Sequence, residues 1–171
     1  MNSMQQEIRN RVAESILKTF NLEEFYPEGN RVLFDIKDWL YEGFILKEKE
    51  FRAFAQNHNW EQYQDAYVAV NCSTDAIVPT WAYMLITTKL KPYCKKVVHG
   101  TLDTLEAVIF RDAIQGLDLS AYKDKPVIIK GCSAKPVPVD AYLSITAKLQ
   151  DVAKSVMFGE ACSSVPLYKR K

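Results

Sequence analysis

Glycine and histidine are scarce in this sequence. Its six glycines form no Walker-type or dinucleotide-binding loop, which excludes the nucleotide-binding classes that depend on such loops. Only two histidines are present, His58 and His99, and neither stands out as the partner base of a catalytic pair. The net charge is +1, from 22 basic and 21 acidic residues, so no overall electrostatic field favours nucleic acid.

Long apolar runs are also missing. No stretch reaches the length needed to span a bilayer, and the N-terminus lacks the apolar core of a signal peptide. The four cysteines include no CxxC spacing, and in an unsecreted chain of this size they indicate reduced thiols rather than a disulfide framework. We therefore expect a cytoplasmic protein with neither nucleic-acid nor membrane partners.

The most informative feature that is present is an internal duplication, and repeats decide a fold assignment. Residues 63–100 align with residues 122–159 at a constant offset of 59, and 14 of the 38 aligned positions are identical. Unrelated segments of average composition would share roughly two or three. One compensated single-residue shift, at Gly131, also brings Cys72-Ser73 onto Cys132-Ser133. Glycine lacks the Cβ penalty, so a bulge at Gly131 would cost little.

Each copy predicts a strand, a helix and a second strand. Short β-branched runs indicate buried strands, and Pro79 and Pro138 predict where the two helices begin. A further helix over residues 101–117 joins the copies. The predicted strands cover residues 67–70, 95–98, 127–129 and 155–158.

Strands that alternate with helices imply a mainly parallel sheet with right-handed crossovers. We predict a three-layer α/β fold, built from the duplicated β-α-β unit, as one domain spanning residues 1–171. An N-terminal α+β segment, residues 1–62, would cap the duplicated core, residues 63–171. Within that segment we expect a helix that carries Met4, Ile8, Val12 and Ile16, an extended run over 32–36, a helix over 48–57 with Phe51, Phe54 and Ala55 inward, and an aromatic cluster of Trp39, Tyr41, Phe44, Trp60 and Tyr63.

Three Cys-Ser dipeptides follow predicted strands. If the first strands of the two copies lie side by side in one sheet, Cys72 and Cys132 flank its switch point, where open α/β sheets bind ligands. Cys162-Ser163 follows the last strand by a short loop and would reach the same edge. Cys94, between a helix and a strand, belongs to the opposite edge, where we predict a packed core thiol.

Thiolate is a soft ligand that suits zinc or an iron–sulphur cluster. Cys72, Cys132 and Cys162 would supply three positions, and the fourth would come from Glu160, Asp75, His99, water or a substrate. Hydroxyls of Ser73, Ser133 and Ser163 would donate hydrogen bonds to the sulphurs or to the loop backbone. The leading hypothesis is therefore a metal or iron–sulphur binding protein with a three-cysteine site.

Two alternatives stay open. Free cysteine is among the most buried residue types, so the chain would equally suit a non-catalytic interaction protein with buried thiols, for example a homodimer. A thiol-dependent enzyme or redox sensor would use Cys72 or Cys132 near a helix N-terminus, with His99 as the base. The repeat places Phe158 opposite His99, so the two halves cannot be chemically equivalent. Carboxylate pairs such as Glu23-Glu24 and Asp35 with Asp38 are typical of solvated turns.

Four segments carry a resemblance to a known family. They are residues 34–40 (FDIKDWL), 76–82 (AIVPTWA), 130–133 (KGCS) and 159–169 (GEACSSVPLYK). They resemble an uncharacterised bacterial family, the domain of unknown function numbered 2480. The resemblance covers essentially the whole chain and implies one compact domain without an established activity. It also implies relatives that occur alongside iron–sulphur assembly proteins, which would then be partners in cluster assembly.

Overall fold

The computed structural model describes residues 16–131 and 134–171. Contacts within the chain divide it into two compact units. The central unit is Pro27–Ala113, and the terminal unit combines Met1–Tyr26 with Ile114–Lys171. The predicted helix that carries Met4, Ile8 and Val12 lies outside the described residues. The expectation of a single domain stays a prediction.

The central unit contains a three-stranded parallel sheet in the order β2-β3-β4. Two helices belong to it, and a third leads from this unit into the terminal unit. Its elements are β2 (Arg31–Asp35), the 3₁₀ helix Ile36–Trp39, α1 (Glu48–Asn57), the 3₁₀ helix Trp60–Tyr63, β3 (Tyr67–Asn71), α2 (Thr80–Leu90), β4 (Lys96–His99) and most of α3 (Leu102–Gln115).

The terminal unit contains a four-stranded sheet in the order β1-β5-β6-β7. The first three strands are parallel, and β7 returns antiparallel to β6. Its elements are β1 (Lys18–Phe20), the 3₁₀ helix Leu22–Phe25, the 3₁₀ helix Ser120–Tyr122, β5 (Pro126–Lys130), α4 (Val139–Val152), β6 (Ser155–Glu160) and β7 (Ser163–Lys169). The predicted α/β class and its mainly parallel pairing are thus confirmed.

The duplication is confirmed down to individual backbone contacts. Tyr67 pairs with Lys96 in the central unit, and the positions 59 residues later, Pro126 and Ser155, pair in the terminal unit. Asp65 and Asp124 share a φ of 57°, a left-handed conformation that aspartate tolerates better than most residues. The first strand of each copy is therefore entered through the same strained turn.

The duplication also extends beyond the aligned segments. Val68 pairs with Val32 on β2, and its equivalent Val127 pairs with Lys18 on β1. This register makes residues 18–25 (KTFNLEEF) equivalent to residues 32–39 (VLFDIKDW). Each of these segments is a strand followed by a 3₁₀ helix. The N-terminal residues therefore supply one edge strand to each sheet.

The prediction that all strands form a single sheet is wrong. β3 and β5 are not neighbours, because β3 already pairs with β2 and β4, while β5 pairs with β1 and β6. Both edges of each central strand are used within its own unit. The strands predicted inside each copy are nevertheless confirmed, as are helices that begin directly after Pro79 and Pro138.

Helix burial follows the predicted stripes. Ala82, Ile86 and Leu90 on α2 are fully buried. On α4 the same holds for the equivalent residues, Ala141, Ile145 and Leu149. Side chains at i, i+4 and i+8 share one helix face, so each helix turns that face toward its core.

The predictions for residues 16–62 are mostly confirmed. The expected strand and helix appear as β2 and α1, and Phe51 and Ala55 are buried. Phe54 was expected inward but is 47% exposed, because only one narrow face of a ten-residue helix reaches the core. Of the aromatic cluster, Trp60 and Tyr63 are buried, and Tyr41 and Phe44 are exposed. None of the helices in the described residues is long and apolar enough to cross a membrane.

Lys148 of α4 closes the carboxyl end of α3. Its ammonium donates to the carbonyl oxygens of Ile114 at 2.9 Å, Gln115 at 2.9 Å and Leu117 at 3.2 Å. A cation there meets the negative end of the helix dipole.

We expect Lys148→Met to lower the free energy of unfolding by about 1–2 kcal/mol, measured by urea unfolding followed by circular dichroism. Lys89→Met, at the equivalent position of α2, is the control. Equal losses in both variants would contradict the role of Lys148.

His58 lies among aromatic rings in the central unit. Its Nε2 is 2.9 Å from the Tyr63 hydroxyl and 3.1 Å from the Gln62 amide nitrogen, and burial lowers the pKa of His58 below its usual 6.5. Because the amide nitrogen can only donate, Nε2 is the acceptor and the ring is neutral. As the pH is lowered through about 6.5, His58 takes up a proton in the unfolded chain before it does so in the folded protein. The free energy of unfolding therefore decreases as the pH decreases.

We expect the central unit to lose stability between pH 7 and pH 5, and His58→Gln to lose less over the same range. Tryptophan fluorescence during chemical unfolding measures this, since Trp60 is 4.7 Å from His58 between ring centroids. An identical pH dependence in the parent and the variant would exclude His58 as the cause.

Candidate functional site

Cys72 and Cys162 follow strands of different sheets. Cys72 directly follows β3 of the central unit, where it is half-buried against the core. Cys162 is exposed in the two-residue turn between β6 and β7 of the terminal unit. Cys132 and Ser133 lie outside the described residues. The expectation that all three thiols share an edge of one sheet is therefore wrong, because its premise was a single sheet.

The remaining residues of the predicted metal site are divided in the same way. Ser73, Asp75 and His99 belong to the central unit, and Glu160 and Ser163 belong to the terminal unit. Within residues 16–131 and 134–171, no three His, Cys, Asp or Glu side chains form a group that could hold a metal ion. Since Cys132 is not among those residues, the three-cysteine site itself stays a prediction.

Cys94 lies where the sequence predicted it. It precedes β4, at the amino edge of the central sheet, and packs half-buried against the core. Burial raises the pKa of the Cys94 thiol, because a low-dielectric environment disfavours the thiolate. Its thiol is thus suited to packing rather than to reaction.

Polar side chains collect at the carboxyl edge of the central sheet. Asp35 is the last residue of β2, Cys72 follows the last residue of β3, and His99 ends β4. Asp35 pairs with Asn71, the neighbour of Cys72, and His99 pairs with Val70. Three parallel strands thus bring a carboxylate, a thiol and an imidazole to one edge, where such sheets bind ligands.

The Cys72 thiol is oriented by Thr74. Its Sγ is 3.4 Å from Thr74 Oγ1 and 3.7 Å from the Thr74 carbonyl oxygen. Thr74 donates its hydroxyl proton to the Gly43 carbonyl at 2.8 Å. Because that proton is used, the Thr74 oxygens can only accept from Cys72, and the S–H is the donor.

Tyr83 of α2 adds a phenol to the same edge. Its ring is 4.8 Å from the His99 ring in an edge-to-face contact. Burial, followed by the charges of Cys72 and Asp35, raises the pKa of Tyr83. The phenol therefore stays protonated at neutral pH and can donate a hydrogen bond.

Asp35 holds the loop that carries the thiol. Its Oδ1 accepts from the Ser73 N–H at 3.0 Å and from the Lys37 N–H at 3.0 Å. Burial opposes ionisation of Asp35, but hydrogen bonds from Ser73 and Lys37 outweigh it and lower its pKa. The carboxylate is thus ionised at neutral pH, which keeps it a strong acceptor.

At two of these positions the terminal unit carries a different residue. Phe158 stands where the central unit has His99 and meets Tyr142, the equivalent of Tyr83, at 5.8 Å. The repeat therefore correctly predicted that the halves differ in chemistry. Asn21 takes the place of Asp35, and its side chain accepts from the Glu23 N–H at 3.2 Å.

The sequence pointed to Cys72 and His99 but missed Asp35 and Tyr83. Asp35 was assigned to a solvated turn because a carboxylate pair close in sequence is usually exposed. The equivalence of residues 18–25 and 32–39 was the signal that could have found it, since both segments place a capping Asn or Asp directly after a buried phenylalanine.

An apolar groove lies on the terminal unit. It is lined by α4 and by the two last strands, with Leu143, Phe158 and Leu167 partly exposed along it. Such a groove is what the interaction-protein alternative requires. That alternative stays a prediction. Cys162 is exposed, so the thiols of the protein are not all buried as that alternative expected.

Comparison with known proteins adds a family but no activity. No curated protein and no solved structure matches the chain. One family model matches residues 6–170, nearly the whole length. The chain belongs to that family, whose description is protein of unknown function (DUF2480).

Proposed function

We propose that the central unit is a thiol-dependent enzyme site in which Cys72 is the nucleophile. The observation that supports it is the convergence of Asp35, Cys72 and His99 at one edge of one parallel sheet. Tyr83 contributes a neutral phenol to the same edge. A nucleophile, an imidazole and a hydrogen-bond donor are the components that nucleophilic catalysis needs.

The reaction that fits these groups is acyl transfer from a thioester or an ester. Cys72 Sγ attacks the acyl carbon, and its proton leaves the Thr74 oxygens and passes to the His99 imidazole. The bond from the acyl carbon to the leaving sulphur or oxygen breaks, and the leaving group takes that proton. Water or a second acceptor then removes the acyl group from Cys72, which recovers its thiol. Tyr83 donates a hydrogen bond to the oxygen that becomes negative in each step. This chemistry needs reduced thiols, as in a cytoplasm.

We expect iodoacetamide to alkylate Cys72 faster than Cys94 near pH 7. Cys94 is the internal control, since burial raises its thiol pKa. His99→Gln should slow alkylation of Cys72 by about tenfold, because the imidazole no longer accepts the proton, and His58→Gln should leave the rate unchanged. Peptide mass spectrometry measures each site. Similar slow rates at Cys72 and Cys94 would exclude a nucleophilic role.

A second candidate is soft-metal binding in the terminal unit, through zinc or an iron–sulphur cluster. Cys162 is exposed and is separated from Glu160 by Ala161 alone, and Gly131, which precedes Cys132, lies against Phe158 and Gly159 at the end of β6. These positions support a site of Cys132, Cys162 and Glu160, with thiolate ligands suited to such metals. In this proposal the partners would be proteins of iron–sulphur assembly.

We expect anaerobically purified protein to contain iron or zinc that is lost in Cys132→Ala and in Cys162→Ala but kept in Cys94→Ala. Elemental analysis with a visible absorption spectrum measures this. Loss in Cys72→Ala as well would favour the three-cysteine form of the site, and retention would favour the terminal unit alone. Metal-free parent protein would contradict metal binding.

A further inference from the structure

In both units a carboxylate accepts hydrogen bonds from the backbone at or just after the Cys-Ser dipeptide. In the central unit, Asp35 Oδ1 accepts from the N–H of Ser73 at 3.0 Å. In the terminal unit, Glu23 Oε1 accepts from the N–H groups of Ala134 and, at 2.7 Å, of Lys135. In the central unit the acceptor is the last residue of the neighbouring edge strand, and in the terminal unit it lies just after that strand.

The two carboxylates are not at equivalent positions. The equivalent of Asp35 is Asn21, and the equivalent of Glu23 is Lys37. Asn21 and Asp35 perform one shared task, since each caps the N–H two residues later. The second task, holding the loop, belongs to the capping residue itself in the central unit and to Glu23 in the terminal unit. Each half thus holds this loop with a carboxylate, but the carboxylates do not correspond and they accept from different N–H groups.

A structural need explains why each loop has a carboxylate. Where the chain leaves the end of a parallel strand, its N–H groups find no carbonyl acceptor on a neighbouring strand. A carboxylate accepts them with charge-assisted hydrogen bonds, which are about twice as strong as neutral ones. Cys72 is next to Ser73, so a hydrogen bond at the Ser73 N–H limits where Sγ can lie.

We infer that Asp35 is a positioning residue that holds the Cys72 thiol in place through the backbone of Ser73. This inference rests on the proposed nucleophilic role of Cys72. The charged and titratable groups that interact with Asp35 are Lys37, whose Nζ is 3.8 Å from Oδ2, and Tyr83 across the edge. Lys37 compensates part of the charge of Asp35.

The terminal unit provides the design of the test. Asp35→Asn keeps an oxygen that can cap Lys37 but removes the charged acceptor of the loop. The double variant Asp35→Asn with Lys37→Glu reproduces the arrangement of Asn21 and Glu23. The carboxylate at position 37 would then accept from Thr74 and Asp75, the positions equivalent to Ala134 and Lys135.

The experiment measures two rates in the chain of residues 1–171. Amide exchange by NMR reports on the loop, and iodoacetamide alkylation reports on Cys72. We expect Asp35→Asn to speed exchange of the Ser73 N–H by about fivefold and to slow alkylation of Cys72 by about tenfold. We expect the double variant to restore most of the alkylation rate and to slow exchange at Thr74 and Asp75. Glu23→Gln, the matched control, should change neither rate in the central unit.

Three results would overturn the inference. Unchanged Ser73 exchange in Asp35→Asn would mean that the carboxylate does not hold the loop. Faster exchange with unchanged or faster alkylation would mean that it does not position the thiol. Slower alkylation that the double variant fails to restore would assign the effect to the cap or to local folding. Failure of the nucleophilic role itself appears separately, as slow alkylation of Cys72 in the parent protein.

Discussion

Parallel pairing of strands through helical crossovers is the constraint on which the candidate site depends. In such a sheet every strand ends at the same edge, so residues far apart in sequence become neighbours when each follows its own strand. Asp35, Cys72 and His99 come together in the central unit for this reason. The helix that connects β3 to β4 brings Tyr83 to the same edge. No single segment of the chain contains the site, because its residues come from three strands and a helix that meet at one edge of the sheet.

Duplication explains both the similarity and the difference of the two units. Matching registers, matching turns at Asp65 and Asp124 and matching buried stripes on α2 and α4 show that one packing solution was used twice. The differences that change chemistry lie at the carboxyl edge, where Phe158 replaces His99 and Asn21 replaces Asp35. Core positions resist change because a close-packed interior loses stability with each change in volume. Positions at the edge are free to acquire or lose chemistry. A carboxylate holds the loop in both halves, although different residues supply it. Loop geometry is therefore a property that both units needed.

Local patterns predicted the elements well and their assembly less well. The helix of residues 48–57, the helices after Pro79 and Pro138, and the paired strands of each copy followed from periodicity and from proline placement. The partners of the strands did not, because a buried β-branched run is equally compatible with any neighbour. β1 escaped detection because three residues carry too little periodicity. β7 was missed because Pro166 lies in its middle and most of it is exposed, whereas the patterns that indicate strands assume burial and lack proline.

By itself the sequence determined that the chain is a duplicated α/β protein whose halves differ chemically, because identity at a constant offset and apolar periodicity are local and can be read along the chain. It also singled out Cys72 and His99, which follow recognisable strands. Only the tertiary structure decided that β3 and β5 belong to different sheets, and with that which cysteines can share an edge. The same holds for Asp35 and Glu23, whose roles depend on N–H groups 38 and 111 residues away along the chain. Contacts of that kind depend on the order of the strands in each sheet. The hydrophobic pattern does not determine that order, because it does not specify which strands pair.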